Sequence, residues 1–351
     1  MKDNIQEIVS ESGIVIENKT AHHKDVGLVD VEYLPLKAAM KKYPQYKDKL
    51  WNLVAKDKND ITKEVFAEGD TNGIFVLAKK GSKNIVPLKT CFLINQNDLD
   101  QKIHNLFVVE EGAELHIVSG CSVDSKSKKN FHKAVTEMYV GIGATLTYTM
   151  IHDWNKDTEV LPVTAIKQEE DSVYMSNYIT FEAVKRMKSC PTVVVGKNAK
   201  CFMNSVIFAP RGSYYDVGGK VILEGEGSSA DIISRNVTSG GTVIMPAIIE
   251  SKAGKTKGHI ECSALMLEED SILHAIPELK TETPDAELTH EAAIGKISQD
   301  ELNYLMSRGL TEEEAQNIII RGFLNIEIQG LPESIIQQIQ KATEMVEKKG
   351  F

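Results

Sequence analysis

VVEEGAELHIV, residues 108–118, is the stretch that best predicts the fold, because its pattern recurs along the chain. Strand-forming residues are followed by a tight turn, a small residue and a second alternating run. The related segments are YVGIGATLTYT at 139–149, VVVGKNAKCFM at 193–203, LEGEGSSADII at 223–233 and LMLEEDSILHA at 265–275. The small residues Ala113, Ala144, Ala199 and Ser271 each follow the turn. Although the spacing is irregular, a repeated unit of turn and strand is typical of a stacked β architecture.

The β-rich character extends over residues 73–282, and helical periodicity is scarce within it. A parallel sheet of the α/β class needs a helix after almost every strand, so this scarcity argues against it. An antiparallel sandwich and a parallel β-helix both remain, since local composition does not separate them. Residues 1–72 and 283–351 have helical patterns, with candidate helices beginning near Asp30 and Pro44. We therefore predict a mostly helical N-terminal domain, a β core and a C-terminal helical domain.

Composition limits the functional class. The chain has 351 residues, a net charge of −10 and five cysteines without a C-x-x-C pair. An acidic chain is poorly suited to bind phosphate backbones, so nucleic-acid binding is not expected. No apolar run reaches the about 20 residues that span a bilayer, and residues 1–13 do not resemble a signal peptide. The cysteine pattern indicates reduced thiols, which predicts a cytoplasmic protein with no membrane partner.

The C-terminal stretch AELTHEAAIGKISQDELNYLMSRGLTEEEAQNIIIRGF, residues 286–323, carries the most specific signals. An imidazole and a carboxylate are adjacent at His290 and Glu291. Two helix starts follow, because Ser298 and Thr311 each precede a glutamate by three positions, which is the pattern of a capping box. Gly309 is placed to end the first of these helices in a left-handed conformation.

This stretch resembles the C-terminal signature of the SufB/SufD family, which comprises scaffold proteins of iron–sulfur cluster assembly. The matching residues are His290-Glu291-Ala292, Glu301-Leu302-Asn303-Tyr304, Ser307-Arg308-Gly309 and Gly322-Phe323. With weaker upstream matches, the resemblance covers roughly residues 25–345. It implies a right-handed parallel β-helix core, flanked by helical domains at 1–72 and 283–351, the second of which would dock a SufC-type ABC ATPase.

The resemblance also implies functional roles for four residues. Cys262 precedes His290 by the spacing of the family's cluster-forming cysteine, so Cys262, His290 and Glu291 would be the metal ligands. Cys121 matches an upstream cysteine proposed to take sulfur from a donor protein. Without the resemblance, Cys262 would be interpreted as a buried small hydrophobe, His290 as a satisfied polar residue and Glu291 as an exposed charge.

The chain is accordingly predicted to be a compact SufB-type scaffold that holds a transient iron–sulfur cluster and is not itself an enzyme. It is expected to bind no ATP, because Gly254-Lys255-Thr256 lacks the earlier glycine of a phosphate-binding loop, with Ile249 at that position. The predicted partners are the ATPase, a second SufB/SufD-type subunit in a homodimer or heterodimer, and a sulfur donor protein. A SufD-like or purely structural adaptor is the alternative. A polysaccharide-acting β-helix enzyme is a weaker rival, since such enzymes are usually secreted.

Overall fold

A computed structural model describes residues 12–69 and 72–324 of the chain. These residues form a β-solenoid of about 8 turns, with 52% strand and 14% helix. Two sheets, named sheet A and sheet B, face each other across one shared apolar core. The β-solenoid predicted through the family resemblance is therefore confirmed.

Sheet A contains ten strands. They are β1 (Ile14–Glu17), β2 (Thr20–His23), β5 (Leu88–Ile94), β7 (Glu114–Val123), β9 (Thr145–Asp153), β12 (Val173–Thr180), β15 (Lys200–Pro210), β18 (Ser229–Ser239), β20 (Lys257–Met266) and β22 (Glu287–Lys296). From β1 through β5 to β22 every neighbouring pair is parallel, which is the ladder of a solenoid.

Sheet B contains twelve strands. They are β3 (Val31–Pro35), β4 (Ile74–Ala78), β6 (Asp100–Val109), β8 (Asn130–Val140), β10 (Thr158–Val160), β11 (Val163–Gln168), β13 (Arg186–Ser189), β14 (Thr192–Val195), β16 (Tyr214–Val217), β17 (Gly219–Leu223), β19 (Thr242–Ser251) and β21 (Ile272–Thr281). Its pairs are parallel except β3 with β4.

The recurring small residue explains how successive coils stack at one corner. Ala113, Ala144 and Ala199 are fully buried there. The amide of Thr145 donates to the carbonyl of Ala113 one coil earlier, at 2.8 Å. Because neighbouring strands are only about 4.8 Å apart, a larger side chain would meet the adjacent turn. Ser271 differs, since it lies at the opposite corner, where its hydroxyl accepts a hydrogen bond from the Gly240 amide at 3.0 Å.

Three successive coils interrupt their strand in sheet B. The breaks fall at Pro162, Pro191 and Gly218, between β10 and β11, β13 and β14, and β16 and β17. Proline has no N–H to donate to the ladder. At Gly218 a Cβ atom would lie 1.6 Å from the carbonyl oxygen of Pro246 on the next coil, so only glycine fits. These residues line the internal cavities described below.

The N-terminal part contains strands where a mostly helical domain was predicted. Strands β1 to β3 precede helix α1 (Leu36–Lys42), a 3₁₀ helix (Pro44–Lys49) and helix α2 (Asp60–Glu68). The helix predicted from Asp30 begins only at Leu36, because β3 pairs antiparallel with β4 and its backbone groups are bonded in sheet B.

The solenoid also extends beyond residue 282, where the helical domain was predicted to begin. Strand β22 runs to Lys296, and helices α3 (Gln299–Ser307) and α4 (Glu312–Leu324) follow. The capping box predicted at Ser298 is wrong, because that side chain makes no capping hydrogen bond. The box at Thr311 is formed, since the Thr311 amide donates to Glu314 Oε2 at 2.8 Å and the Glu314 amide donates to Thr311 Oγ1 at 3.2 Å.

Gly309 ends α3 with φ +97°, as predicted. Residues 325–351 of the predicted helical domain lie outside the described residues. Across the two described ranges, no helix has both the length and the apolar character needed to cross a membrane.

Candidate functional site

Cys262 lies on the interior face of β20. Its side chain is fully buried in the core, between Ile260 and Ala264 along the strand. Burial raises the pKa of the Cys262 thiol, and the nearby Glu261 carboxylate adds a smaller effect in the same direction. In this conformation the group is therefore a thiol, and it needs solvent or a cation nearby to become the thiolate that binds metal.

His290 and Glu291 lie on β22, the strand next to β20. His290 is opposite Ile260 and Glu291 is opposite Glu261, while Cys262 is opposite Ala292. Since side chains alternate along a strand, His290 is on the interior face with Cys262 and Glu291 is on the outer face. Residues 263–289 thus complete one coil, which is the condition for bringing Cys262 and His290 to neighbouring strands.

The described structure does not bring these three side chains together as one metal-binding group. Cys262 and His290 are one strand apart and two residues out of register, which separates their Cα atoms by roughly 8 Å. The ligand atoms of one metal ion lie within about 4 Å of each other, so both side chains would have to turn toward each other to share an ion. Among the described residues, no three His, Cys, Asp or Glu side chains form a group that could hold a metal ion. The ligand set of Cys262, His290 and Glu291 stays a prediction.

Cys121 lies on the interior face of β7, far from Cys262. It is buried, and burial raises the pKa of its thiol far above the usual range. Its strand is five positions from β20 in the order of sheet A, which corresponds to about 24 Å. The two thiols therefore cannot react directly.

Two internal cavities lie between these cysteines. One of about 50 Å³ is lined by Cys121, and one of about 40 Å³ is lined by Cys262. The two share five lining residues, which are Met150, Ser176, Tyr178, Ser189 and Pro191. The shared lining residues place the two cavities side by side in the interior of the solenoid.

A group of buried aromatic and imidazole side chains surrounds Cys121. This group was not predicted from the sequence. His152 is directly opposite Cys121 on β9. His132 lies beside it and donates through Nδ1 to Gln101 Oε1 at 2.7 Å. Burial lowers the pKa of His132 to about 4. The pKa of His152 is lowered to about 3, mainly by burial and to a smaller extent by the electrostatic effect of His132. Both imidazoles are therefore neutral near pH 7.

Trp154 completes this group. Its ring packs beside both imidazoles, with ring centroids 5.1 Å from His132 and 5.5 Å from His152. The indole Nε1 is buried and has no hydrogen-bond partner among the described residues. Such an orphan donor is costly in an apolar interior unless a polar species approaches it. The position of His152 could have been predicted from sequence, because it lies 31 residues after Cys121, and 31 residues make one coil here.

The last coil of the described solenoid leaves two strand edges uncovered. β22 ends the order of sheet A, and β21 pairs only with β19 in the described part of the chain. Three isoleucines on these strands are exposed, namely Ile272 at 56%, Ile276 at 40% and Ile294 at 44%. Long edges with apolar side chains are rarely left free in soluble proteins.

Helix α4 packs on the outer face of sheet A, and α3 contacts α4. Ile320 and Leu324 of α4 join a cluster with Phe208 and Val237 of the solenoid. On the side away from this cluster, α3 exposes Tyr304 and Met306 and α4 exposes Ile318. The helix pair thus has one face fixed to the solenoid and apolar side chains available on another.

Comparison with known proteins gives a consistent result. Residues 92–323 match the family model described as SUF system FeS cluster assembly, SufBD core domain. A protein of Archaeoglobus fulgidus described as an iron–sulfur cluster assembly SufBD family protein is 43% identical over 318 residues, which cover 91% of this chain and 85% of the relative. A protein of Methanothermobacter thermautotrophicus with the same description is 38% identical over 320 residues, covering 90% and 78%. A similarly described protein of Pyrococcus horikoshii is 31% identical over 346 residues, covering 98% and 77%.

Proposed function

The chain belongs to the SufB/SufD family of iron–sulfur cluster assembly proteins, and from this premise we propose that it is a SufB-type scaffold subunit on which a nascent cluster is built. The observation that carries the proposal is the position of Cys262 and His290. They lie on neighbouring strands, on the same face, at the uncovered end of the solenoid. A soft thiolate and an imidazole suit iron, and Glu291 would add a carboxylate. The scaffold itself is not an enzyme in this proposal.

A second SufB/SufD-type subunit would complete the site. Within residues 12–69 and 72–324, edges β21 and β22 have unpaired backbone groups, and they present the exposed isoleucines Ile272, Ile276 and Ile294. A partner strand there would cover this apolar surface. In a homodimer, the two copies would meet through this same edge around a twofold axis. The ligands proposed for one copy would then lie near those of the other copy.

Sulfur would enter when the Cys121 thiolate attacks the outer sulfur of a donor protein's persulfide, which releases the donor's thiol and leaves a persulfide on Cys121. Onward transfer to Cys262 would be two further exchanges of the same kind through a small carrier thiol, because the two cysteines are too far apart to react directly. The adjoining cavities support this route, because one is lined by Cys121, the other is lined by Cys262, and the two share five lining residues. The neutral imidazole of His152 and the free indole N–H of Trp154 are suitable neighbours for a polar sulfur species. Since both thiols are buried, a conformational change has to expose them, and ATP hydrolysis in a SufC-type partner would drive it.

The SufC-type ATPase would dock on α3 and α4, through the surface that includes Tyr304, Met306 and Ile318. ATP would be bound by that partner and not by this chain. The complex would act in the cytoplasm, where thiols stay reduced.

Anaerobic reconstitution with iron and sulfide tests the proposal. Wild-type protein should acquire a cluster visible in absorption and Mössbauer spectra, and Cys262→Ser should lose it. Cys201→Ser is the matched control, because Cys201 is also a fully buried interior cysteine but lies on β15, away from the uncovered end. Equal cluster content in wild type and Cys262→Ser would contradict the proposal.

A structural adaptor without its own cluster is the second candidate, and one observation favours it. His290 and Glu291 are on opposite faces of β22, and no described group of three side chains could hold a metal ion. An adaptor would bind the ATPase through α3 and α4 yet acquire no cluster, alone or with a second subunit. Reconstitution together with an ATPase-binding assay separates the two functions.

A further inference from the structure

A groove of about 350 Å³ lies on the outer face of sheet B, and none of the five cysteines lines it. It is formed where β6, β8 and β11 end, beneath the 3₁₀ helix. Val108 and Tyr139 form its floor, and Tyr46 and Lys49 of the 3₁₀ helix form one wall. This volume is in the range of pockets that hold small molecules, which is about 300–1,000 Å³.

Most charged groups around the groove are already paired. Lys80 contacts Glu111 at 2.6 Å, and Lys167 contacts Glu169 at 3.0 Å. Glu110 accepts hydrogen bonds from the Tyr46 hydroxyl at 2.6 Å and from the Lys80 amide at 2.9 Å. The carboxylates therefore have their own cationic or hydrogen-bonding partners, and none of them is left to bind a further cation.

Lys49 is the exception. Its Nζ lies 4.1 Å from the centroid of the Tyr139 ring, and no carboxylate of the described residues is within ion-pair distance of it. Partial burial lowers the pKa of Lys49, and the neighbouring Lys167 contributes further. The groove thus contains a partly desolvated ammonium group that forms no direct ion pair, next to a second lysine and near the carboxylates of Glu110 and Glu169.

The groove is held in shape by hydrogen bonds from its own aromatic residues. The Tyr139 hydroxyl donates to the carbonyl of Lys49 at 2.9 Å, and Asn52 Nδ2 donates to the same hydroxyl at 3.3 Å. The bond from Tyr46 to Glu110 fixes the opposite wall. A site that is formed before its ligand arrives loses less entropy on binding.

We propose that this groove binds a small molecule with a carboxylate or phosphate group, which pairs with Lys49, and with a planar body that takes the place of the Lys49 ammonium over the Tyr139 ring. An anion there would form with Lys49 the direct ion pair that Lys49 does not have among the described residues. Flat apolar groups pack well on tyrosine rings. The net charge of −10 makes non-specific anion attraction by the whole chain unfavourable, so any anion binding has to be local. This proposal does not depend on cluster assembly.

Calorimetric titration with phenyl phosphate, inorganic phosphate and phenol tests it. Wild-type protein should bind phenyl phosphate more tightly than either of the other two, because only phenyl phosphate has both parts. Lys49→Gln should weaken phenyl phosphate binding about tenfold, the usual effect of losing one charge-assisted hydrogen bond. Lys47→Gln is the matched control, since Lys47 is on the same 3₁₀ helix, is exposed and does not line the groove.

A second measurement needs no variant. Amine acylation followed by mass spectrometry should show that phenyl phosphate protects Lys49 while Lys47 reacts at an unchanged rate. No saturable binding by wild type, equal affinity in wild type and Lys49→Gln, or equal protection of both lysines would each overturn the proposal.

Discussion

The buried carboxylate of Glu137 anchors the N-terminal segment to the solenoid, and its removal is the sharpest test of the fold. Glu137 lies on β8, fully buried, and accepts hydrogen bonds from the amides of Trp51 at 2.5 Å, Leu53 at 2.7 Å and Val54 at 3.2 Å. Its other partner is His104 Nε2 at 2.8 Å. Trp51 has φ +62°, a conformation that a bulky residue adopts only when its surroundings hold it there.

The expected cost of Glu137→Ala follows from these contacts. Each buried amide left without an acceptor costs about 1–3 kcal/mol. Val54 is fully buried, whereas Trp51 and Leu53 are half-buried. Water can therefore replace part of the hydrogen bonding that the amides of Trp51 and Leu53 lose. The sum is about 4 kcal/mol, in the range measured when one partner of a buried ionic group is removed. A change of this size raises the population of the open state by about 10³.

Hydrogen exchange followed by mass spectrometry measures this directly, because exchange through local opening reports the free energy of that opening. Peptides from residues 44–68 should exchange about 10³ times faster in Glu137→Ala, while the coils from β12 to β20 should keep their wild-type rates. Glu224→Ala is the control, since Glu224 is an exposed carboxylate paired only with Lys252 and should cost under about 1 kcal/mol. Wild-type exchange of residues 44–68 in Glu137→Ala, or equal acceleration of the whole chain, would refute the reasoning.

Two further predictions concern a helix cap and pH. Thr311→Ala should destabilise α4 by about 1 kcal/mol, because the capping box is formed there. Ser298→Ala should change the stability of α3 by less than about 0.5 kcal/mol, because that side chain makes no capping hydrogen bond. Hydrogen exchange of the amides in each helix measures both effects. Burial lowers the pKa of His132 to about 4, so between pH 6.5 and 4 the unfolded chain binds a proton that the folded chain does not. The free energy of unfolding should therefore fall as the pH falls through that window, by about 1.4 kcal/mol per unit for this group, and denaturant titrations of His132→Gln should show a shallower pH dependence than wild type.

Much of the β core could be predicted from sequence because its information is local. The small residue after each turn has to be small, since the turn of the next coil is stacked on it, and Ala113, Ala144 and Ala199 are buried as that rule requires. The choice between sandwich and solenoid could not be made in the same way. Strand pairing joins residues about 30 positions apart, and local composition does not encode which strands pair. The family resemblance supplied that information.

The errors at the two ends have a common cause. Both segments were predicted to belong to helical parts of the chain. Instead, residues 31–35 pair with β4, about 40 residues later, and residues 287–296 pair with β20, one coil earlier. Edge positions have only one neighbour, so their composition is less β-rich than that of central strands. Exposed β22 therefore resembles the helices that follow it, and tertiary pairing overrides the local preference.

The interior polar residues were missed because a single polar residue in a strand has no distinctive pattern. Glu137 is part of an ordinary alternating run, and only the structure shows that loop amides converge on it. His152 could have been found, because a residue one coil after Cys121 lies directly beside it. Applying the coil length to each candidate cysteine is therefore a useful step once a solenoid is suspected.

The predicted ligands differ in how firmly their strands are held in the solenoid. Cys262 is on β20, which is paired on both sides and packed in the core. His290 and Glu291 are on β22, which is bonded to one neighbour only in the described part of sheet A. A scaffold has to release its cluster, and ligands that are all held in a rigid core would retain it. In the proposed scaffold, a fixed thiol beside ligands on an edge strand would allow assembly when a partner strand covers the edge, and release when that strand departs. The uncovered end of the solenoid is thus the place where a transient site is physically easiest to build.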